Sequence, residues 1–534
     1  MDENNNSPLS QEQQKPLFRR EDLPFGILAL LFGFLFIKYT MTSAPGLMLT
    51  VLTLCFVGAT VSYAVLRDRP LNAAVLFWGG VQLVISLTYP LTANGFLKGW
   101  CVFFQLLAGA YWIFLIFGNR TSKYADDMLG FDLLKSLFIL PILNFTKLFS
   151  LFAESGRTSK GSRRFLYILL GLGVALLPTI VVALLLSGDS LFANMMEYLF
   201  SDLGEVFGNN IIPLLFGIPS GMLLFGLWYG AAEKTHPNML NAQAKAETVK
   251  MFRIASPLIT GAAMIPMLGI YILYFISQAG YFLGAFENLK PEGYSYAEYA
   301  REGFFNLCAV CFINGLVVLT VHFLTKRREN GEYAPAAKAI VCLFSLSSIV
   351  LGVIALRKMI MYIDQYGLTL SRIYASWFIL LLSVFFLILI VKQMWSKLNG
   401  TLCALMAFLL LFGGICLVNI DARVAEYNID LHLARMEQGE DSVLDIAMFR
   451  EDLSFAAVIA LDARYDQLDE ESRKQADAYL QTSAIRLRKE LNRSYAYSCS
   501  FRSWDLDTMR AAEILRKHYP EQFEDMPSLF GWSW

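Results

Sequence analysis

Cys308 and Cys311 form a C-x-x-C pair, the spacing two thiolates use to hold zinc or to cycle as a dithiol. Both lie in one apolar run, with no second pair and no nearby His. They therefore read as small apolar side chains. The four histidines, His236, His322, His432 and His518, are scattered without metal-ligand spacing. There is no Ser nucleophile elbow and no phosphate-binding Gly loop. No catalytic residue, cofactor or metal is expected, and nothing in these residues positively supports an enzyme.

Polar residues of interest gather in three short stretches. Tyr294 to Phe305 carries Glu298 and Arg301, three apart, so on a helix they share one side and can pair. Tyr366 to Arg372 carries Tyr366, Thr369 and Arg372, with Asp364 just upstream as a carboxylate for Arg372. Asn419-Ile420-Asp421 is followed by Tyr427 and Asn428. Together these nine residues are a candidate polar cluster. It would either bind a ligand or partner, or fix helix ends together. Asn314, alone in an apolar run, needs a partner from a neighbouring helix.

The elements that must position these residues are membrane spans. Hydrophobic residues are 56% and charged residues 17%, against roughly 45–50% and 25% in soluble domains. A span needs about 20 mostly apolar residues. Candidate runs fall at 23–40, 44–66, 71–92, 98–117, 165–187, 209–230, 254–276, 303–325, 336–357, 373–395 and 401–419. The expected fold class is all-α: a polytopic transmembrane helix bundle of about eleven spans with a C-terminal polar helical domain. The divisions are a polar, disordered N-terminal tail (1–22), the bundle (23–420) and the polar domain (421–534). Two further segments read as amphipathic. Met128 to Phe152 is expected along the membrane surface, broken at Pro141, and Ser187 to Asn209 as a helix resting on the outer surface. Gly217-x-x-x-Gly221 and Gly226-x-x-x-Gly230 make two small-residue ridges suited to close packing within the bundle.

The formal net charge of −1 averages two unlike regions. Residues 421–534 hold 22 acidic and 14 basic side chains, so the remainder is near +7. With the N-terminus inside, inner loops carry 23 Lys and Arg and outer loops six, the bias of cytoplasmic loops. That excess reads as membrane orientation, not nucleic-acid binding. An odd span count then puts the C-terminal domain outside. Expected partners are the lipid bilayer and another membrane or envelope protein.

The three motif stretches also resemble a bacterial multi-pass membrane family catalogued as domain of unknown function 4173, with a close relative numbered 4153. The resemblance covers residues 270–430. The tail departs from it: Leu444-Asp445 is present, but the following stretch is altered in order. It implies a cell-membrane location and no known activity. Three functions stay open: a non-enzymatic sensor, scaffold or accessory subunit of envelope machinery; a transporter or flippase of a small or lipid-linked substrate; and a membrane-embedded transferase.

Overall fold

A computed structural model describes residues 18–42, 45–120, 125–126, 128–155, 189–237, 242–286, 296–328, 332–439, 442–496 and 504–523, with positions 182 and 186. Among these, every regular element is helical, and the one β-type contact is an isolated bridge between Ala255 and Thr325. The reason is the solvent. In hydrocarbon each backbone N–H and C=O must be satisfied within its own segment, which a helix alone achieves for a single chain segment.

The membrane part comprises α1 (Asp22–Ile37), α2 (Leu47–Leu66), α3 (Ala73–Ser86), α4 (Gly95–Ile116), α5 (Leu129–Leu143), α6 (Lys147–Ser155), α7 (Ser190–Ala232), α8 (Ala242–Phe252), α9 (Pro257–Phe286), α10 (Tyr296–Leu324), α11 (Pro335–Tyr366), α12 (Leu370–Met394) and α13 (Gly400–Leu417). Ten of these helices contain segments long and apolar enough to cross a bilayer, or eleven if the bent α5–α6 pair counts as one. They coincide with ten of the eleven expected runs. The other, 165–187, lies almost wholly outside the described residues, as do the N-terminal tail through Leu17 and the aromatic C-terminal end.

Two segments expected to be amphipathic take more definite form. Ser187 to Asn209 is not a separate helix: α7 runs unbroken for 43 residues from an Asp189 cap, about 65 Å at 1.5 Å per residue. Met128 to Phe152 packs one face against other helices. It folds as α5 and α6, bent by 45°, with Ser136, Leu140, Asn144, Leu148 and Leu151 buried against α1, α4 and α7. The break falls at Asn144 to Thr146 rather than at Pro141, and a π-helical turn, Lys135–Ile139, precedes it.

Glycine explains how the hairpin enters. A Cβ at Gly226 would sit 2.8 Å from the Pro141 carbonyl oxygen, and one at Gly230 would sit 2.5 Å from Asn144 Nδ2. The other ridge meets α1: a Cβ at Gly33 would lie 2.2 Å from the Gly217 oxygen and 2.4 Å from the Gly221 nitrogen. The five-residue step between ridges turns the second one roughly 140° around the helix. One helix thus accepts two different neighbours at van der Waals contact.

Two apolar cores result. One is shared by α9, α10, α11 and α12. There Tyr271 Oη donates to Asn314 Oδ1, and Asn314 Nδ2 donates to Ser348 Oγ at 2.8 Å, so the lone amide has partners on both neighbouring helices. The other core gathers α1 to α7 and α13, and it does not stop at the membrane part. It continues through Phe412, Cys416, Ile420 and Val424 into α14 (Ile420–Glu437), α15 (Ile446–Asp452), α16 (Ala456–Asp462), α17 (Glu470–Ala496) and α18 (Leu506–His518). Composition breaks near residue 420; packing does not.

Gly33→Ala or Gly221→Ala should cost about 1–3 kcal/mol by overpacking and lower the thermal transition of the detergent-solubilised protein. Gly58→Ala and Gly80→Ala, where an added Cβ meets nothing within 4 Å, should leave it unchanged or raised. Equal loss in both sets would refute the ridge assignment.

Candidate functional site

Three helices begin at one place, where the helical domain meets the bundle. Each starts with a side chain that caps its own helix and holds a neighbour. Asn94 Oδ1 accepts from the Leu97 N–H at the start of α4, while its Nδ2 donates to Asp421 Oδ1 at 2.5 Å and to Tyr374 Oη at 3.2 Å. Asn419 Oδ1 accepts from the Ala422 N–H of α14, while its Nδ2 donates to Asp507 Oδ1 at 2.7 Å. Asp505 Oδ1 accepts from the Thr508 N–H of α18, and its Oδ2 takes the Lys98 ammonium at 3.1 Å. The sequence folds this way locally because Asn and Asp are strong N-caps.

The remaining acceptors are also met. Asp421 Oδ2 accepts from the Ser454 N–H at 3.0 Å, and Asp507 Oδ2 from the Ala93 N–H at 3.1 Å. Asn94, Lys98, Asp421, Asp505 and Asp507 are all buried. Three carboxylates and one ammonium are thus enclosed beside three positive helix ends, which favour negative charge. Among the described residues no group of three or more His, Cys, Asp or Glu is arranged to hold a metal. What this arrangement can do is bind one part of the chain to another.

A second contact secures the same domain to the loop between α11 and α12. Asn428 Nδ2 donates to the Leu368 carbonyl and its Oδ1 accepts from the Leu368 N–H, both at 2.7 Å. Arg435 donates to the Asp364 and Gln365 carbonyls at 2.7 Å each, closing the C-terminal end of α11. Gly367 ends that helix at φ +76°, and a Cβ there would meet Asn428 Oδ1 at 2.2 Å. Arg372 does not pair with Asp364 as expected. It donates to the Tyr366 and Gly367 carbonyls and covers the Tyr362 ring at 4.2 Å. Asp364 instead faces Tyr427, whose phenol is raised by burial and by that carboxylate. Thr369 caps α12 through the Arg372 N–H, and Tyr366 packs its ring against Tyr362.

Of the nine expected residues, Tyr366, Thr369, Arg372, Tyr427 and Asn428 meet at this second contact. Asn419 and Asp421 belong to the first. Glu298 and Arg301 stand one turn apart on the α10 backbone, and their side chains lie outside the described residues. Sequence reading missed Asn94, Lys98, Asp505 and Asp507. A lone Lys at the mouth of an apolar run and an Asp-x-Asp at a helix start were the available signals. A different charged group gathers at the other end of the helices. There Arg67 pairs with buried Asp22 and with Glu233, and Tyr63 Oη donates to Asp22 Oδ1 at 2.8 Å.

Burial, with Asp505 and Asp421 adding negative charge, pushes the Asp507 carboxyl up to about 6; the Ala93 N–H and Asn419 amide pull it down. Lys98 offsets part of that charge through Asp505. Ionised Asp507 therefore opposes docking, and the opposition fades as pH falls through about 6 toward 3.8. At ~1.4 kcal/mol per pH unit the effect is on the order of 3 kcal/mol. Hydrogen-exchange protection at residues 92–98, each rate taken relative to the intrinsic rate at the same pH, should be greater at pH 5 than at pH 7.5. Asp507→Asn should flatten that difference while losing one hydrogen bond. An unchanged slope would reject the assignment. Lys98→Ala, which strands the Asp505 carboxylate, should cost about 3–5 kcal/mol and expose the same segment to protease.

The family described as a domain of unknown function, DUF4153, matches residues 79–463. The match thus falls on the relative of the family numbered 4173 that the motifs led us to expect. No curated protein and no solved structure matches the chain. The matched stretch runs from Gly79 within α3 through α16, including Asn94, Lys98, Asn419, Asp421 and the Asn428 contact, and on that basis the chain belongs to the DUF4153 family, as a protein with multiple membrane-spanning helices.

Proposed function

We propose that this protein is a non-enzymatic scaffold or sensor of the cell envelope, with its N-terminus in the cytoplasm and its helical domain on the extracytoplasmic face. The observation that carries the reading is the enclosed junction of Asn94, Lys98, Asp421, Asp505 and Asp507. A catalytic site needs room for a substrate beside its polar groups. Here each carboxylate is already taken up by donors from the chain itself. Such a junction transmits force or position between the domain and the bundle, as a subunit that presents a domain to a partner requires. The charge bias of the loops supports the orientation.

A transporter reading draws on one feature, the bent α5–α6 pair with its π-turn and the prolines within α7 and α9. Broken helices line substrate sites in transporters.

The test pairs a reporter with a partner search. A periplasm-active enzyme fused after Trp534 should be active and a cytoplasm-active one silent. Mild-detergent purification should bring down a reproducible envelope protein, lost in Lys98→Ala. A silent periplasmic reporter, or a lone protein with Asn144→Leu abolishing uptake of a substrate, would overturn the scaffold reading.

A further inference from the structure

Behind the junction, two cysteines from opposite ends of the sequence meet. Cys101 of α4 and Cys416 of α13 bring their Sγ atoms to 3.3 Å, across 315 residues. Both are buried, at 0% and 1% exposure. Cys101 stands seven residues after Asn94, and Cys416 five before Asp421. The thiol contact and the Asn94–Asp421 hydrogen bond therefore join the same two stretches of chain. Cys308 and Cys311, the C-x-x-C of the sequence, do nothing comparable: Cys311 Sγ turns to the Ser348 carbonyl at 3.7 Å.

We propose that Cys101 and Cys416 are a disulfide-forming pair that ties α4 to α13 directly beneath the helical domain. A disulfide needs about 2.05 Å between sulfurs, so the remaining gap is closed by side-chain rotation. The oxidant is a disulfide, carried by a protein or by a small thiol compound. One thiolate of the pair attacks it, breaking the donor S–S bond and releasing one donor sulfur as a thiolate. The second thiolate then attacks the mixed disulfide, the Sγ–Sγ bond forms, and the second donor sulfur leaves. The chain gives up two electrons and two protons, and the donor is reduced to two thiols.

Burial sets the order of events. Once the domain has closed, neither sulfur is reachable, so exchange precedes closure, and the finished bond resists reductants thereafter. The inference rests on the extracytoplasmic reading in one respect only: that side of a membrane permits disulfides.

The full-length protein is taken from membranes, denatured without reductant, and its free thiols are capped with a maleimide of known mass. A second sample is first reduced in mild denaturant, where the domain opens, and then returned to detergent with oxidised glutathione present. Six of the eight cysteines should be capped in one or both samples. A proteolytic peptide joining Cys101 to Cys416 should appear by mass spectrometry and vanish on reduction. It should be absent from Cys101→Ser and Cys416→Ser and retained in Cys308→Ser. If the serine variants do not fold, the joined peptide of the unaltered chain decides alone. Eight capped thiols in both samples would overturn the pair. A cytoplasmic result from the Trp534 reporter would overturn the placement and leave the pair standing.

Discussion

Every helix begins with backbone N–H groups that have no partner within the helix. Where three such beginnings are enclosed together, the cost of leaving them unmet is high. The junction meets this with capping side chains that have two ends. Asn94 and Asn419 each use the carbonyl on their own helix and the amide on a neighbouring carboxylate. Asp505 uses one oxygen at home and the other on Lys98. No cap can be removed without loosening two elements. The position of the helical domain, the entry of α4 and the exit of α13 all follow from that sharing.

Sequence patterns were most informative where one physical rule governs a long stretch. Apolar runs of span length became helices, because hydrocarbon leaves the backbone no alternative; α7, α9, α10 and α11 run on well past the apolar stretch at one end. They were least informative where the deciding contact is far away in sequence. Met128 to Phe152 has the alternation of a surface helix, and only the missing side chains of Gly226 and Gly230 on another helix let it sink into the bundle. Arg372 had an obvious carboxylate nearby in Asp364, yet Gly367 turns the chain so that two carbonyls reach it first. Asp507 was invisible because its partners, Ala93 and Asn419, lie 414 and 88 residues away.

The two apolar cores divide the labour unevenly. The α9 to α12 core is held by ordinary packing and by the Tyr271–Asn314–Ser348 chain. The other core extends from α1 to α18 and carries charge at both of its ends, Asp22 with Arg67 at one and Asp505 with Lys98 at the other. Its neighbour reaches it chiefly through α12 against α13, and through the Asn428 contact. Among the described residues, one part of the bundle shares its core with the helical domain, and the other meets it along α12 and α13 and at the Asn428 contact.

The distance between Lys98 and its partner has a consequence for synthesis. Asp505 is made 407 residues later, which at ribosomal speeds of about 5–20 residues per second is a wait of roughly 20–80 s. Through that interval α4 sits in the bilayer with an ammonium at its mouth that has not met its carboxylate. The early helices are thus inserted long before they are finished, and α18 acts as the closing piece for the second pair of spans. A ribosome that stops short of α18 would leave a membrane protein whose exposed charge marks it as incomplete.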